Sequence, residues 1–483
     1  MTDRSSRLSR ALKAYDLRGR VGDDLDDDLL FALGWGTVRT MRARHGTAGV
    51  VIGADMRPDS LGFARALARG VAAAGGAPTL LGLCSTDQLY FASGRSGLPG
   101  LMVTASHNPS GWNGIKVCGP HAAGISRAGG LDAIADSALD APPDPAAGDP
   151  AAAAEPRPDP DAARELAVGY AETIRAQTGI TGLRRPLTVI ADCGNGMAGK
   201  LLPEVFGTAA LAAPVLLDVR GMYTELDGTF PNHPANPLDP ANLVDVQRAV
   251  VDSGADLGLA FDGDADRCFV IDETGRATSA SAIGALVARR EIARARAAGE
   301  DAPVVLHNLI TSRAVPETVA AAGGRPVRTP VGHSGIKQLM AEHRAVFACE
   351  HSAHFYFRDF SGADSGMLAA CHVIAALADT GGTLSALLAD LDPYAGSGEI
   401  NSTVADPAAA LARFRAAAGA GAFGAGTLDE LDGVTLTGAD FWANVRPSNT
   451  EPLVRFNCET PDAARTAALT AEVLALVRAD DRP

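Results

Sequence analysis

Lysine is the scarcest charged residue of this chain. Of its 42 basic side chains in 483 residues, four are lysines (Lys13, Lys116, Lys200 and Lys337) and the rest are arginines. Arginine has displaced lysine almost everywhere, so each lysine that remains asks for a reason. Positive charge is short overall: 57 acidic groups leave a net charge of −15. That balance excludes a protein whose main work is coating nucleic acid or an anionic membrane, and predicts neither as a partner. No Cys-x-x-Cys pair occurs among the seven cysteines, which are scattered singly and read as buried, reduced thiols of a cytoplasmic protein. An apolar leader is missing from the charged start, MTDRSSRLSRALKAYD. Long hydrophobic runs are missing too, since stretches such as 71–86 are broken by glycine and proline. What is present is 47% hydrophobic and 20% charged residues, enough for sizeable cores and too apolar for wholesale disorder.

Residues 141–163 hold seven of the 29 prolines and are expected to bridge domains without forming a packed element, with a helix starting near Glu165. An internal echo organises the rest. Segments 49–60, 187–199 and 304–317 each run from an apolar strand into a polar loop and a helix-like stretch. The first and third also end alike, AAAGGAPTLLG against AAAGGRPVRTPVG. Strand–helix–strand units of this kind predict three related α/β domains with mixed or largely parallel sheets. From Gly398 onward the pattern changes to a smaller α+β domain, entered through a Pro/Gly/Ser-rich stretch, 392–398, expected to act as a hinge.

Four short motifs carry chemistry. Thr104-Ala-Ser106-His107-Asn108-Pro109 follows an apolar strand, where α/β sheets place their ligands, and Lys116 comes ten residues after the serine. A serine beside a scarce lysine suits the holding of a phosphoryl group. Asp262-Gly-Asp264-Ala-Asp266-Arg267 brings three carboxylates together, which demands a hard cation such as Mg²⁺. An EF-hand is excluded because Arg267 stands where that loop needs glycine and the flanks read as strands. Alternation in Cys349-Glu350-His351-Ser352-Ala353-His354 places Glu350, Ser352 and His354 on one face, a donor and acceptor set suited to sugar hydroxyls. Arg446-Pro-Ser448-Asn449-Thr450 offers a guanidinium fork, hydroxyls and an amide as a phosphate cradle.

In this order, and with Ala14-Tyr15-Asp16-Leu17-Arg18-Gly19 ahead of them, the motifs resemble those of the α-D-phosphohexomutases, specifically the phosphomannomutase/phosphoglucomutase branch. The resemblance implies three related α/β domains and a C-terminal α+β domain around a central cleft, placed here at 1–150, 151–277, 278–393 and 394–483. It implies a phosphoserine at Ser106, and one Mg²⁺ held by that group with Asp262, Asp264 and Asp266. Arg18, Lys116 and Arg267 would offset charge, and His107 and His354 are candidates for proton transfer. Tyr15, Gly332, His333, Glu350 and Ser352 would meet the sugar phosphate, and Arg446, Ser448, Asn449 and Thr450 its non-reacting phosphate. The implied reaction interconverts mannose 1-phosphate and mannose 6-phosphate, with glucose phosphates accepted and the reverse preference as the alternative. Glucose or mannose 1,6-bisphosphate would be the activator, hexose phosphates the partners, and the chain a monomer or a homodimer. A silent sugar-phosphate binder and a metal-dependent phosphatase are the competing classes. Two departures stand out: Cys349 and Ala353 replace glycines of the sugar loop, which is expected to alter that loop if those positions need unusual backbone angles. The branch's third-domain lysine has no counterpart in His307-Asn-Leu-Ile-Thr311.

Overall fold

Each echoed segment begins with the central one of its domain's three parallel strands. These strands are Gly49–Ala54, Leu187–Asp192 and Val304–Asn308 in a computed structural model that describes residues 3–147, 149–207, 216–447 and 453–479. Their apolar runs suit strands covered on both faces. In all three domains the central strand pairs in parallel with two neighbours. They are Ala77–Leu83 and Gly100–Val103, then Leu217–Met222 and Leu257–Phe261, then Arg325–Thr329 and Phe347–Cys349. A fourth strand then turns back antiparallel: Trp112–Cys118, Cys268–Asp272 and Phe355–Phe357. Parallel neighbours require crossovers, and helices Ser60–Ala73, Ala198–Phe206 and Ala314–Ala321 supply the first in each domain.

This shared topology places the chemistry. The serine loop, the aspartate loop and the Glu350–His354 segment are the same connection in three copies, each joining the last parallel strand to the antiparallel one. All three therefore leave the carboxyl end of a sheet, where α/β folds build their sites.

The C-terminal domain is a six-stranded antiparallel sheet with helices Pro407–Gly419 and Ala463–Val477, and has its own core around Phe414, Val445 and Phe456. Strands Gly426–Asp429 and Trp442–Pro447 add to those the sequence suggested. The expected hinge is anchored on both sides. Asp392 accepts from Ser279 at 3.0 Å, and Ala395–Gly396 pairs with the last strand. Rotation of the C-terminal domain would have to turn on the residues between.

The proline-rich segment is not a free bridge. Asp144 is buried against Arg69 at 2.7 Å, and the same guanidinium reaches the Ala153 carbonyl at 2.9 Å. The following helix spans Pro160–Thr178, five residues ahead of the expected start, because Asp159 caps it and Pro160 supplies its first turn.

The first three domains meet at one buried acid. Asp87 accepts from Ser85, from Tyr170 Oη at 2.6 Å and from Ser365 Oγ at 2.6 Å. Burial outweighs these hydroxyls and pushes its carboxyl up to about 6 from 3.8. The folded state therefore favours protonated Asp87, and stability present at acid pH is lost as the pH rises from 3.8 through about 6. Asp87→Asn stays neutral throughout, so its stability relative to the unchanged chain is expected to rise by roughly 1–3 kcal/mol between acid and neutral pH. Urea unfolding of both proteins across that window measures it.

Candidate active site

Register sets the first group of side chains. Strand Asp16–Arg20 pairs antiparallel with Trp112–Cys118, with Asp16 opposite Lys116 and Arg18 opposite Gly114. A Cβ on Gly114 would come within 2.3 Å of the Leu17 carbonyl oxygen, so the glycine lets the two strands approach this closely. Arg18 then bonds Asp16 Oδ2 at 2.7 Å and Asn108 Oδ1 at 2.5 Å, tying itself to the serine loop. Ser106 adopts a left-handed φ of +50°, with its N–H donated to Thr104 Oγ1 at 2.9 Å.

The serine and aspartate loops meet face to face. Ser106 Oγ donates to Asp262 Oδ2 at 2.8 Å, and Arg267 Nη2 donates to the same Oγ at 3.2 Å. Arg267 also grips Asp262 at 3.0 and 2.8 Å. Lys116 Nζ lies 2.8 Å from Asp264 Oδ2 and bonds Asp266 Oδ2 as well, while Thr86 adds a 2.6 Å bond to Asp264. All three aspartates are fully buried. Burial and the neighbouring Asp264 push Asp266 well above the usual carboxylate range. For Asp264 burial acts the same way, but Lys116 overrides it and holds the group below that range. Asp264 Oδ1 and Asp266 Oδ1 are buried with no hydrogen-bond partner among the described residues. One oxygen of each of Asp262, Asp264 and Asp266 falls within 4.8 Å of the others. Spare oxygens in an all-carboxylate set fit a hard divalent cation.

The sugar loop is a tight turn rather than an extended strand, so alternation does not describe it. Glu350 N–H donates to the His354 carbonyl at 3.0 Å, and Ala353 takes φ +65°. Glu350 turns inward, where Tyr356 Oη donates at 2.5 Å and Asn308 Nδ2 at 3.3 Å. Ser352 Oγ sits 3.0 Å from His354 Nδ1. His354 faces the site, its Nε2 3.8 Å from Asp266 Oδ1, and pairs by a backbone bridge with Arg267. Of the two departures, Cys349 is an ordinary strand residue whose side chain fills the space left by Gly284. Only Ala353 carries left-handed strain. Ala353→Gly would relieve about 1–2 kcal/mol of strain but lose a buried methyl worth about 0.8 kcal/mol and gain unfolded-state entropy. Its stability is expected to stay within about 1 kcal/mol of the parent, whereas Ala353→Val, with a branched Cβ at positive φ, should fall well below it in the same thermal melts.

At the far end, Arg446 is held by Asn457 at 2.9 Å and by Glu399, whose other oxygen takes Arg455 at 3.0 Å. The expected cradle residues Ser448, Asn449 and Thr450, and the side chain of His333, lie outside the described residues.

These groups surround a cavity of about 400 Å³. Its wall includes Tyr15, Arg18, Ser106, His107, Lys116, Asp266, Arg267, Gly332, His354 and Arg446, all anticipated from sequence. Lys13, Tyr90, Asp364, Asp432 and Arg455 also line it and were not. Arg455, in Glu-Pro-Leu-Val-Arg, could have been found as a second guanidinium on the strand after the cradle. Asp364 could not, because its role depends on buried Lys337, 2.9 Å away and stacked 3.3 Å over Tyr90. Glu350, Ser352, Asp262 and Asp264 stand behind the wall. Burial and the Arg267 and Arg18 guanidiniums hold His107 well below its ordinary value, so it is neutral near pH 7.

Four domain profiles of one family match in order. They are phosphoglucomutase/phosphomannomutase alpha/beta/alpha domains I, II and III at residues 9–140, 153–275 and 279–394, and its C-terminal domain at 399–476. The chain belongs to the phosphoglucomutase/phosphomannomutase family. Among its relatives, a phosphomannomutase of Salmonella montevideo is 36% identical over 96% of this chain and 98% of its own length. A protein named phosphohexose mutases from Xanthomonas campestris is 37% identical over 97% and 99%. A crystal structure of a phosphoglucomutase/phosphomannomutase family protein from Burkholderia thailandensis superposes with a TM-score of 0.82 at 27% identity, covering 100% of this chain and 98% of that one. As the family architecture implies, three α/β domains and a C-terminal domain contribute to one cleft. No helix among the described residues is long and apolar enough to cross a membrane.

Proposed function

We propose that this chain is a phosphomannomutase that interconverts mannose 1-phosphate and mannose 6-phosphate through a phosphoserine at Ser106. The observation that carries the reading is a cavity with two cationic ends. Arg18, Lys116 and Arg267 surround Ser106 at one, and Arg446 and Arg455 stand at the other. Such a site accepts a sugar carrying phosphate at either end. The phosphomannomutase names of several relatives across nearly the whole chain support the mannose assignment.

In the forward direction the phosphoryl group leaves Ser106 Oγ for the free hydroxyl of a bound hexose phosphate. The P–Oγ bond breaks, the new P–O bond forms, and the sugar hydroxyl gives up its proton. His354, in the wall beside Asp266, is placed to receive that proton. Arg267 takes up the charge left on Oγ, to which it already donates. The 1,6-bisphosphate then reverses end for end, with Arg446 and Arg455 holding its other phosphate, and returns the second phosphoryl to Ser106. Mg²⁺, held by Asp262, Asp264, Asp266 and the phosphoserine, would supply further charge neutralisation. Burial of Ser106 keeps water from the phosphoserine.

Incubation with Mg²⁺, trace glucose 1,6-bisphosphate and mannose 1-phosphate tests the reading. Mannose 6-phosphate is the expected product, and inorganic phosphate or no turnover would contradict it. The ratio of kcat/KM with glucose 1-phosphate assigns the preferred sugar.

A further inference from the structure

One guanidinium gathers the carbonyls of the serine loop. Arg57 lies just past the central strand of the first domain, is 3% exposed and does not line the cavity. Its Nη2 donates to the carbonyls of Ser106 at 2.9 Å and Asn108 at 2.6 Å. Its Nη1 donates to those of Pro109 and Trp112, each at 3.0 Å. Asp55, also buried, balances the charge 3.3 Å from Nε. The second domain closes over this arrangement in two places. The Phe230 ring lies 5.0 Å from the guanidinium carbon, and a Cβ on Gly263 of the aspartate loop would come within 2.5 Å of the Ser106 carbonyl oxygen.

We propose that Arg57 is a positioning residue for phosphoryl transfer, holding Ser106 in the backbone conformation that points Oγ at Asp262 and Arg267. A non-glycine residue at positive φ persists only where its surroundings over-determine it. Here the determination is visible, because the Ser106 carbonyl and those of Asn108, Pro109 and Trp112 after it converge on one planar fork. If the fork is lost, Ser106 relaxes towards negative φ and Oγ swings off the line of transfer. Lysine cannot replace it, since a compact ammonium has no flat, forked donor set to span four carbonyls. Phe230 makes the clamp a joint between domains: the loop that carries the phosphoryl group and the domain that carries the aspartates are aligned through the same guanidinium. The inference rests on transfer occurring at Ser106.

The test compares Arg57→Lys and Phe230→Leu with the unchanged protein. It reads kcat and KM for mannose 1-phosphate, hydrogen exchange of the peptide covering 104–112, and the thermal midpoint. A misplacement of about 1 Å at a transferring group costs on the order of 100-fold, so Arg57→Lys is expected to lower kcat by about that factor. KM should hardly move, because other domains grip the substrate, and exchange of 104–112 should quicken. Phe230→Leu keeps all four hydrogen bonds and is expected to lower kcat roughly threefold. It carries the test if Arg57→Lys does not fold. A merely structural Arg57 would lower the thermal midpoint and leave kcat of the folded enzyme unchanged, and that result overturns the proposal, as does a loss confined to KM. Unchanged kinetics in both variants beside an active parent would overturn the clamp alone. A parent that turns over no sugar phosphate would overturn the transfer reading and the clamp's purpose with it.

Discussion

Ser106→Ala is expected to lower kcat for sugar-phosphate interconversion on the order of 10⁵-fold, the scale seen when a covalent nucleophile is removed. Among the described residues, Ser106 is the one hydroxyl placed against Asp262, Arg267 and the cavity together. The neighbouring groups hold charge but cannot carry a phosphoryl group through two transfers. Binding should survive, since Arg18, Arg446 and Arg455 are untouched. Calorimetric titration of the variant with mannose 1-phosphate should therefore give a Kd within a few-fold of the parent's, while product formation falls to the detection limit. A silent binder would show equal binding and no turnover in either protein. The lost bond from Oγ to Asp262 costs about 1 kcal/mol, too little to unfold the chain and mimic the catalytic loss.

Lys116→Met is expected to act on stability as well as rate. Lys116 is buried, and it is the ammonium that binds both Asp264 and Asp266. Removing one partner of a buried ion pair leaves uncompensated charge and costs about 3–5 kcal/mol. Asp264, which Lys116 holds ionised, is the carboxylate left without its cation, so a cost within that range applies in the presence of chelator. Mg²⁺ should restore part of the loss, because the spare oxygens of Asp264 and Asp266 belong to the same carboxylates. Urea unfolding with chelator and with Mg²⁺ separates the two effects. Equal stability of variant and parent in chelator would contradict the charge arrangement described. Activity should fall with or without metal, as Lys116 also lines the cavity beside Ser106.

The sequence carried the fold class because its signals were local: strand, loop and helix repeat three times, and the first and third copies close on the same glycine turn. It also carried the serine and aspartate motifs, whose spacing matches the connection between two adjacent strands. What it could not carry were features made by distant partners. Arg57 follows a strand with no visible motif, and its role exists only because residues 106–112 fold back over it. Glu350 was placed among surface hydroxyl readers by alternation, which fails once Ala353 turns left-handed and Tyr356 draws the carboxylate inward. The prolines of 141–163 suggested a loose bridge, but the buried partner of Asp144 lies 75 residues upstream in sequence. The scarcity of lysine proved more informative than motif reading allowed. Lys13 and Lys116 line the cavity, Lys337 is buried behind Asp364, and Lys200 bonds Glu204 at 2.6 Å.

Transfer of the phosphoryl group from Ser106 is the central claim, and a single turnover tests it most directly. Protein carrying a labelled phosphoryl group on Ser106 is mixed with unlabelled mannose 1-phosphate and Mg²⁺, and the fate of the label is followed. The account predicts that the label leaves the protein for the sugar and appears at carbon 6 of mannose 1,6-bisphosphate and mannose 6-phosphate. Label released as inorganic phosphate, or retained on the protein while sugar phosphate is interconverted, would contradict it.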